Sequence, residues 1–294
     1  MNWLAAGVGA AGAAALLQIV SLRRPAAAIP RRKTAAGGCL RMAAGLLLLL
    51  LAARAARTGV HAFRETEQSP LAACLLLGAS LWAAACGAEA AQRCAAVLLR
   101  LVLGFFLIVA VFSLTQLRAA WLRPAAEPGN ALICAGLLLA PGACAYLPPR
   151  ERERSAGLWL LAPLAAAAAG VTAGVLSPAL ARGEMSFLTL ARSVSVLGVM
   201  RRFEALVSGA MLPAWFSLCS LLLCAAGEAF TAAGLRRPVI RALTAFGALA
   251  LLYPSGALKT ASVAAISAIS CGLFPLLLPL VEGQKYFRNS QKKC

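Results

Sequence analysis

The chain has no aspartate and one histidine, His61, among its 294 residues. Its ten acidic side chains are all glutamate, and charged residues of both signs make up only 13%. A soluble domain carries nearer a quarter charged residues, so this chain lacks the polar surface a water-facing fold needs. Cysteine is present ten times, yet no two cysteines stand in a CxxC pair. Cys74, Cys86, Cys134, Cys144, Cys219, Cys224 and Cys271 lie inside apolar runs, where a thiol acts as a small hydrophobe. With one histidine beside them and no ligand spacing, neither a metal site nor a disulfide framework is expected. No hydrolase, kinase, P-loop or Rossmann motif occurs in its required context. Neither an enzyme nor a cofactor is therefore expected.

What fills the chain is apolar. Hydrophobic residues make up 61%, and the mean hydropathy is +0.82. The formal net charge is +18, but its cations sit in short clusters between long uncharged runs. A nucleic-acid binder gathers cations on one folded surface; the pattern here is that of loops beside anionic lipid headgroups. No nucleic-acid partner is expected, and the first partner is the lipid bilayer.

A membrane helix needs about 20 mostly apolar residues. Gaps between charges place candidate spans at 1–22, at 42–53 extended past Arg54 and Arg57, at 68–88, and at 101–117 reaching back past Arg100, which thus lies inside the span. Others lie at 128–149, 155–181, 205–227, 238–258 across Arg241, and 260–281. That predicts an all-α integral membrane protein of about nine transmembrane helices, a single domain over 1–294. In the second span the arginines would snorkel to the interface. The first run has no basic segment before it, so it reads as an uncleaved span and not as a signal peptide.

Alternating loops would place 17 cations, among them Arg31, Arg32, Arg41, Arg150, Arg236 and the basic tail 283–294, on one side. The other side would receive ten, including Arg54, Arg57, Arg64 and Arg202. The excess of positive charge on cytoplasmic loops then predicts an external N-terminus and a cytoplasmic C-terminus.

Residues 183–200 are too polar to span. Phe187, Leu190, Ala191, Val194 and Leu197 share one helical face, and Ser186, Thr189, Arg192 and Ser193 another. This predicts an amphipathic helix in the interface, or a surface helix that only connects spans. Just after it comes Arg201-Arg202-Phe203-Glu204, and Glu228 closes the same span. Carboxylates at membrane depth cost about 2.5–3.5 kcal/mol unless partnered, which makes Arg192, Arg202, Glu204 and Glu228 the candidate ligand-binding or gating residues. A plainer reading has Glu204 and Glu228 marking two water interfaces, with 23 residues between them. Pro163, Pro213 and Pro275 fall within spans, where they kink helices and free carbonyls. No span shows an obvious Gly-Pro break at its middle, which counts against a transporter.

The stretch SFLTLARSVSVLGVMRRFEALVSGAMLPAWFSLCSLLLCAAGEAF, at 186–230, resembles the spore-germination permease family, the B subunits of bacterial germinant receptors. That family carries an aromatic residue, four others and Arg-Ser, then Arg-x-Glu-Ala-Leu opening its eighth helix. The matching residues are Phe187, Arg192, Ser193, Arg202, Glu204, Ala205 and Leu206. Gly87-x-Glu89-x-x-x-Arg93 is similar to the family's turn between its third and fourth helices, and the ending FPLLLPLVEGQKYFRNSQKKC to its last helix and basic tail. The resemblance implies an amino-acid-permease-like bundle, starting here at the family's second helix. It implies nutrient sensing in the spore inner membrane, an amino-acid ligand, and partners in an A-type membrane subunit and a C-type lipoprotein. A secondary amino-acid transporter and a non-transporting membrane scaffold are the alternative readings.

Overall fold

A computed structural model describes residues 3–27, 35–63, 70–114, 116–118, 128–147, 161–180, 190 and 203–281. Every regular element among them is helical. In order these are α1 (Trp3–Ala27), α2 (Ala35–Phe63), α3 (Pro70–Ala85), α4 (Ala88–Leu114) and α5 (Pro128–Leu138), followed by a 3₁₀ segment (Ala140–Tyr146). Then come α6 (Leu161–Leu180), α7 (Phe203–Ala233), α8 (Arg237–Ser255), α9 (Thr260–Ser267), a π-helical segment (Ala268–Leu273) and α10 (Phe274–Val281). Five helical runs are long and apolar enough to cross a membrane: Ala35–Val60, Ala88–Leu114, Gly209–Ala233, Arg237–Ser255 and Thr260–Pro279. Shorter apolar helices cover Leu4–Val20, Leu71–Ala85, Ala131–Tyr146 and Pro163–Leu176. Of the expected amphipathic segment 183–200 only Leu190 lies within the described residues, and it is buried. The tail 283–294 lies outside them.

The bundle is organised around α2 and α7, which pack antiparallel through small residues. Gly45, Ala52 and Gly59 recur every seven positions on α2. A Cβ on Gly45 would sit 2.4 Å from the Phe230 ring, and one on Gly59 would sit 2.8 Å from Trp215. Between them, the Cys219 thiol donates to the Ala52 carbonyl at 3.5 Å. In lipid there is no hydrophobic drive between helices, so contact must come from close packing and interhelical polar contacts. Small residues on one helix opposite large ones on the other provide that contact.

Other pairs repeat the device. Gly9 of α1 has no room for a Cβ against the Ala131 carbonyl of α5, and the Cys134 thiol reaches the Ala6 carbonyl at 3.7 Å. Gly136 approaches the Ala264 carbonyl, and Gly142 both Leu17 and the Cys271 carbonyl. These contacts make α1, α5 and the 260–281 run mutually parallel. Leu49 lies against Gly247, which with the arginine contacts below makes α2 and α8 parallel.

Two turns use glycine's conformational freedom. Gly87 joins α3 to α4 at φ 106°, and Gly234 follows α7 at φ 96°. At the second, the Leu235 N–H bonds back to the Phe230 carbonyl at 3.2 Å, the six-residue closure of a left-handed helix cap.

The second span extends past Arg54 and Arg57 as expected: its helix runs over 35–63, and both arginines reach the carbonyl end of α8. Arg57 Nη1 donates to the Tyr253 carbonyl at 3.1 Å and to the Leu252 carbonyl at 3.5 Å. Arg54 Nη1 reaches the Ser255 carbonyl at 3.5 Å. The last carbonyls of a helix lack intrahelical partners and carry the negative end of its dipole, so half-buried cations are stabilised there. Arg41, expected in a loop, lies on α2 and is only 5% exposed. Hydroxyls are satisfied within their own helices: Ser80, Ser113 and Thr172 each donate to the carbonyl four residues back. Exposed Tyr253 lies near the C-terminal end of α2, where its carbonyl takes Arg57.

The α2–α7 seam makes a direct prediction. Gly45→Ala gains about 0.5–1 kcal/mol of helix propensity but overpacks against a fully buried Phe230, at a cost of about 1–3 kcal/mol. A net loss of stability in detergent thermal unfolding is expected, recovered in Gly45→Ala/Phe230→Leu. A Gly45→Ala protein as stable as the parent would contradict this seam.

Candidate functional site

Pro275 is the starting point. At the end of the π-helical segment the Phe274 N–H takes the Ile269 carbonyl, five residues back. The next bond in that series would run from residue 275 to the Ser270 carbonyl. Proline has no N–H, so the Ser270 carbonyl is left without an intrahelical donor. Tyr146 supplies one: its hydroxyl donates to the Ser270 carbonyl at 2.7 Å. A proline on one helix is thus complemented by a tyrosine 124 residues away.

The tyrosine is in reach because α5 is interrupted. It stops at Leu138, and the chain tightens into the 3₁₀ segment containing Pro141 and Gly142. Gly142 is buried, and a Cβ there would stand 2.3 Å from the Cys271 carbonyl. Only glycine lets the two backbones approach this closely. The interruption falls at the middle of the expected 128–149 span, so the expectation that no span is broken at its middle is corrected. The Ala-Pro-Gly at 140–142 was the available signal, since Pro forbids the regular bond and Gly permits the close approach.

Around this junction lie polar groups that an apolar bundle does not need for packing. Ser270 Oγ donates to the Ile266 carbonyl at 2.8 Å and lies 3.5 Å from Cys271 Sγ. Ser267 Oγ is buried and makes no hydrogen bond of good geometry; Cys271 Sγ is near it as a weak acceptor at most. The buried Arg41 is close enough to Tyr146 to act on its hydroxyl electrostatically. The π segment has eight helical residues before it and eight after, so this cluster lies in the middle of the 260–281 run. Non-helical backbone at such depth is tolerated where it is buried in protein or lines a cavity, and π-turns occur frequently at functional sites. A phenol and an unpaired hydroxyl beside irregular backbone suit a small polar ligand.

The residues expected from sequence are distributed differently. Arg192 and Arg202 lie outside the described residues. Glu204 stands at the second position of α7, and Glu228 is exposed near the other end of the same helix. The 24 steps between them span about 36 Å at 1.5 Å per residue. Glu228 and Glu204 therefore lie at opposite ends of one continuous helix, the separation already read from the sequence. Pro163 falls in the first turn of α6 and Pro213 inside α7. Of the prolines, it is Pro275 that has a complementary donor. Glu89 and Arg93 form an exposed ion pair one turn apart, just after the Gly87 turn.

Neither a protein-family model, nor a curated protein, nor a solved structure matches the chain.

Tyr146→Phe should destabilise the protein by about 1–3 kcal/mol, the range for a buried polar group left unsatisfied. Pro275→Ala in that background should recover much of the loss, because it restores an N–H beside the orphaned carbonyl. Thermal unfolding of the four proteins of this double-mutant cycle, in one detergent, reads the coupling. Additive effects would mean that the tyrosine and the proline are not complementary.

Proposed function

We propose that the chain is a polytopic membrane subunit that senses a small nutrient, of the kind found in spore germinant receptors. The observation that carries the reading is the meeting of the 3₁₀ segment after α5 with the π segment, where the Tyr146 hydroxyl bonds the Ser270 carbonyl beside the buried Ser267 hydroxyl. Such a site has two arrangements, with the bond from the Tyr146 hydroxyl to the Ser270 carbonyl made or broken. A ligand that prefers one form shifts the population toward it, and the mechanism is helix rearrangement without bond chemistry. The resemblance at Phe187, Arg192, Ser193, Arg202 and Glu204 supplies the family, and with it the amino-acid ligand, the A-type subunit and the C-type lipoprotein.

The relative helix directions support nine alternating crossings in a permease-like bundle. Helices α1, α5 and the 260–281 run are parallel, α2 and α8 are parallel, and α2 and α7 are antiparallel, as alternation requires. With the cations that lie on described helices left out on both sides, 11 remain on one side against eight on the other. That excess favours a cytoplasmic C-terminus and an external N-terminus. The location that follows is the spore inner membrane.

A second reading, a secondary amino-acid transporter, is favoured by the break in α5, since transporter sites are built from discontinuous helices. Uptake of labelled amino acids into proteoliposomes separates the two: a transporter accumulates label, and a sensor does not. For the germination reading, Glu204→Gln is expected to slow nutrient-triggered germination at unchanged membrane abundance. Normal germination of spores carrying that variant would reject the assignment.

A further inference from the structure

Helix α4 is the least buried of the long apolar helices, with 12% of its most apolar stretch buried against 50% for α7. One face, with Ala91, Val109 and Ser113 buried, packs mainly on α7. The opposite face carries Val97, Arg100, Gly104, Leu107, Val111 and Leu114, all exposed. Arg100, Leu107 and Leu114 repeat every seven residues, and Val97, Gly104 and Val111 repeat every seven beside them. Such a seven-residue repeat keeps one straight seam facing a partner helix along its whole length. A Cβ on Gly104 would meet nothing within 4 Å, so the seam has an open notch one turn beyond Arg100.

Arg100 sets the chemistry. It is exposed and has no hydrogen bond or ion pair among the described residues. It stands seven residues past Arg93, whose pairing with Glu89 marks the polar end of the helix, and so lies about 10 Å deeper. A guanidinium on a lipid-facing surface at that depth is stabilised by an anion, either a headgroup reached by snorkelling or a carboxylate on a neighbouring helix. A second copy cannot provide one, because symmetric pairing of two such seams opposes Arg100 to Arg100. We propose that this face of α4 docks a transmembrane helix of a different protein that carries a carboxylate about two turns below the membrane surface. The inference rests on residence in a membrane and not on the germination reading, so a normal Glu204→Gln phenotype leaves it standing.

The test uses the full chain, donor-labelled, in phosphatidylcholine liposomes with acceptor-labelled Leu/Ala peptides of about 22 residues. One peptide carries a single Glu two turns from its end; matched peptides carry Leu or Lys there. Energy transfer should report association about tenfold tighter with the Glu peptide than with the Leu peptide, the scale of an interhelical polar contact in a bilayer. Arg100→Leu should remove the difference, Arg100→Glu should transfer the preference to the Lys peptide, and Gly104→Leu should weaken every peptide. Equal binding of Glu and Leu peptides would overturn the proposal and leave Arg100 snorkelling to lipid headgroups. Transfer between two labelled copies of the chain, lost on Gly104→Leu, would overturn it in favour of self-association.

Discussion

Within an apolar phase no water is present to take an unmade backbone hydrogen bond, and each such group costs several kcal/mol. Most of the protein's polar contacts answer that constraint. Tyr146 donates to the carbonyl that Pro275 leaves open. Arg54 and Arg57 reach the last carbonyls of α8, and serine hydroxyls fold back onto their own helices. These are the same bookkeeping carried out by different side chains. The contacts differ in reach: a serine acts four residues away, Arg57 acts across 196, and Tyr146 across 124.

The second constraint is that helices surrounded by lipid gain little from burying apolar surface against each other. Glycine, alanine and cysteine therefore occupy the contact lines. Gly45 accepts the Phe230 ring, Gly136 and Gly142 accept the backbone of the 260–281 run, and Gly9 accepts α5. Cysteine adds a weak donor to small size, as Cys134 and Cys219 show by reaching carbonyls of a neighbouring helix. The many apolar cysteines are thus packing residues with a polar handle.

The candidate site is where both constraints meet. Two irregular segments are held together because Gly142 permits the approach and Tyr146 makes the bond. Alternative hydrogen bonding within either segment changes the fit of the other. A ligand with groups for Ser267 and Tyr146 would act on that balance directly. The exposed face of α4 lies on the other side of the bundle's logic: its inner surface is tied to α7, while its outer surface presents a cation to the bilayer.

The amino-acid sequence by itself determined the helical class and the apolar runs, because a run of uncharged residues admits only a helix when it must satisfy its own backbone. A short turn at 87–93 was also legible, while the positive φ of Gly87 and the Glu89–Arg93 pair came from the structure. The role of Arg41, of Arg57 and of Tyr146 was not legible. Each depends on a carbonyl or a ring more than 100 residues distant, and no periodicity encodes that distance. Pro275 was visible as a proline in a span, but only the packing of the 3₁₀ segment against the π segment decided that its missing N–H would be answered.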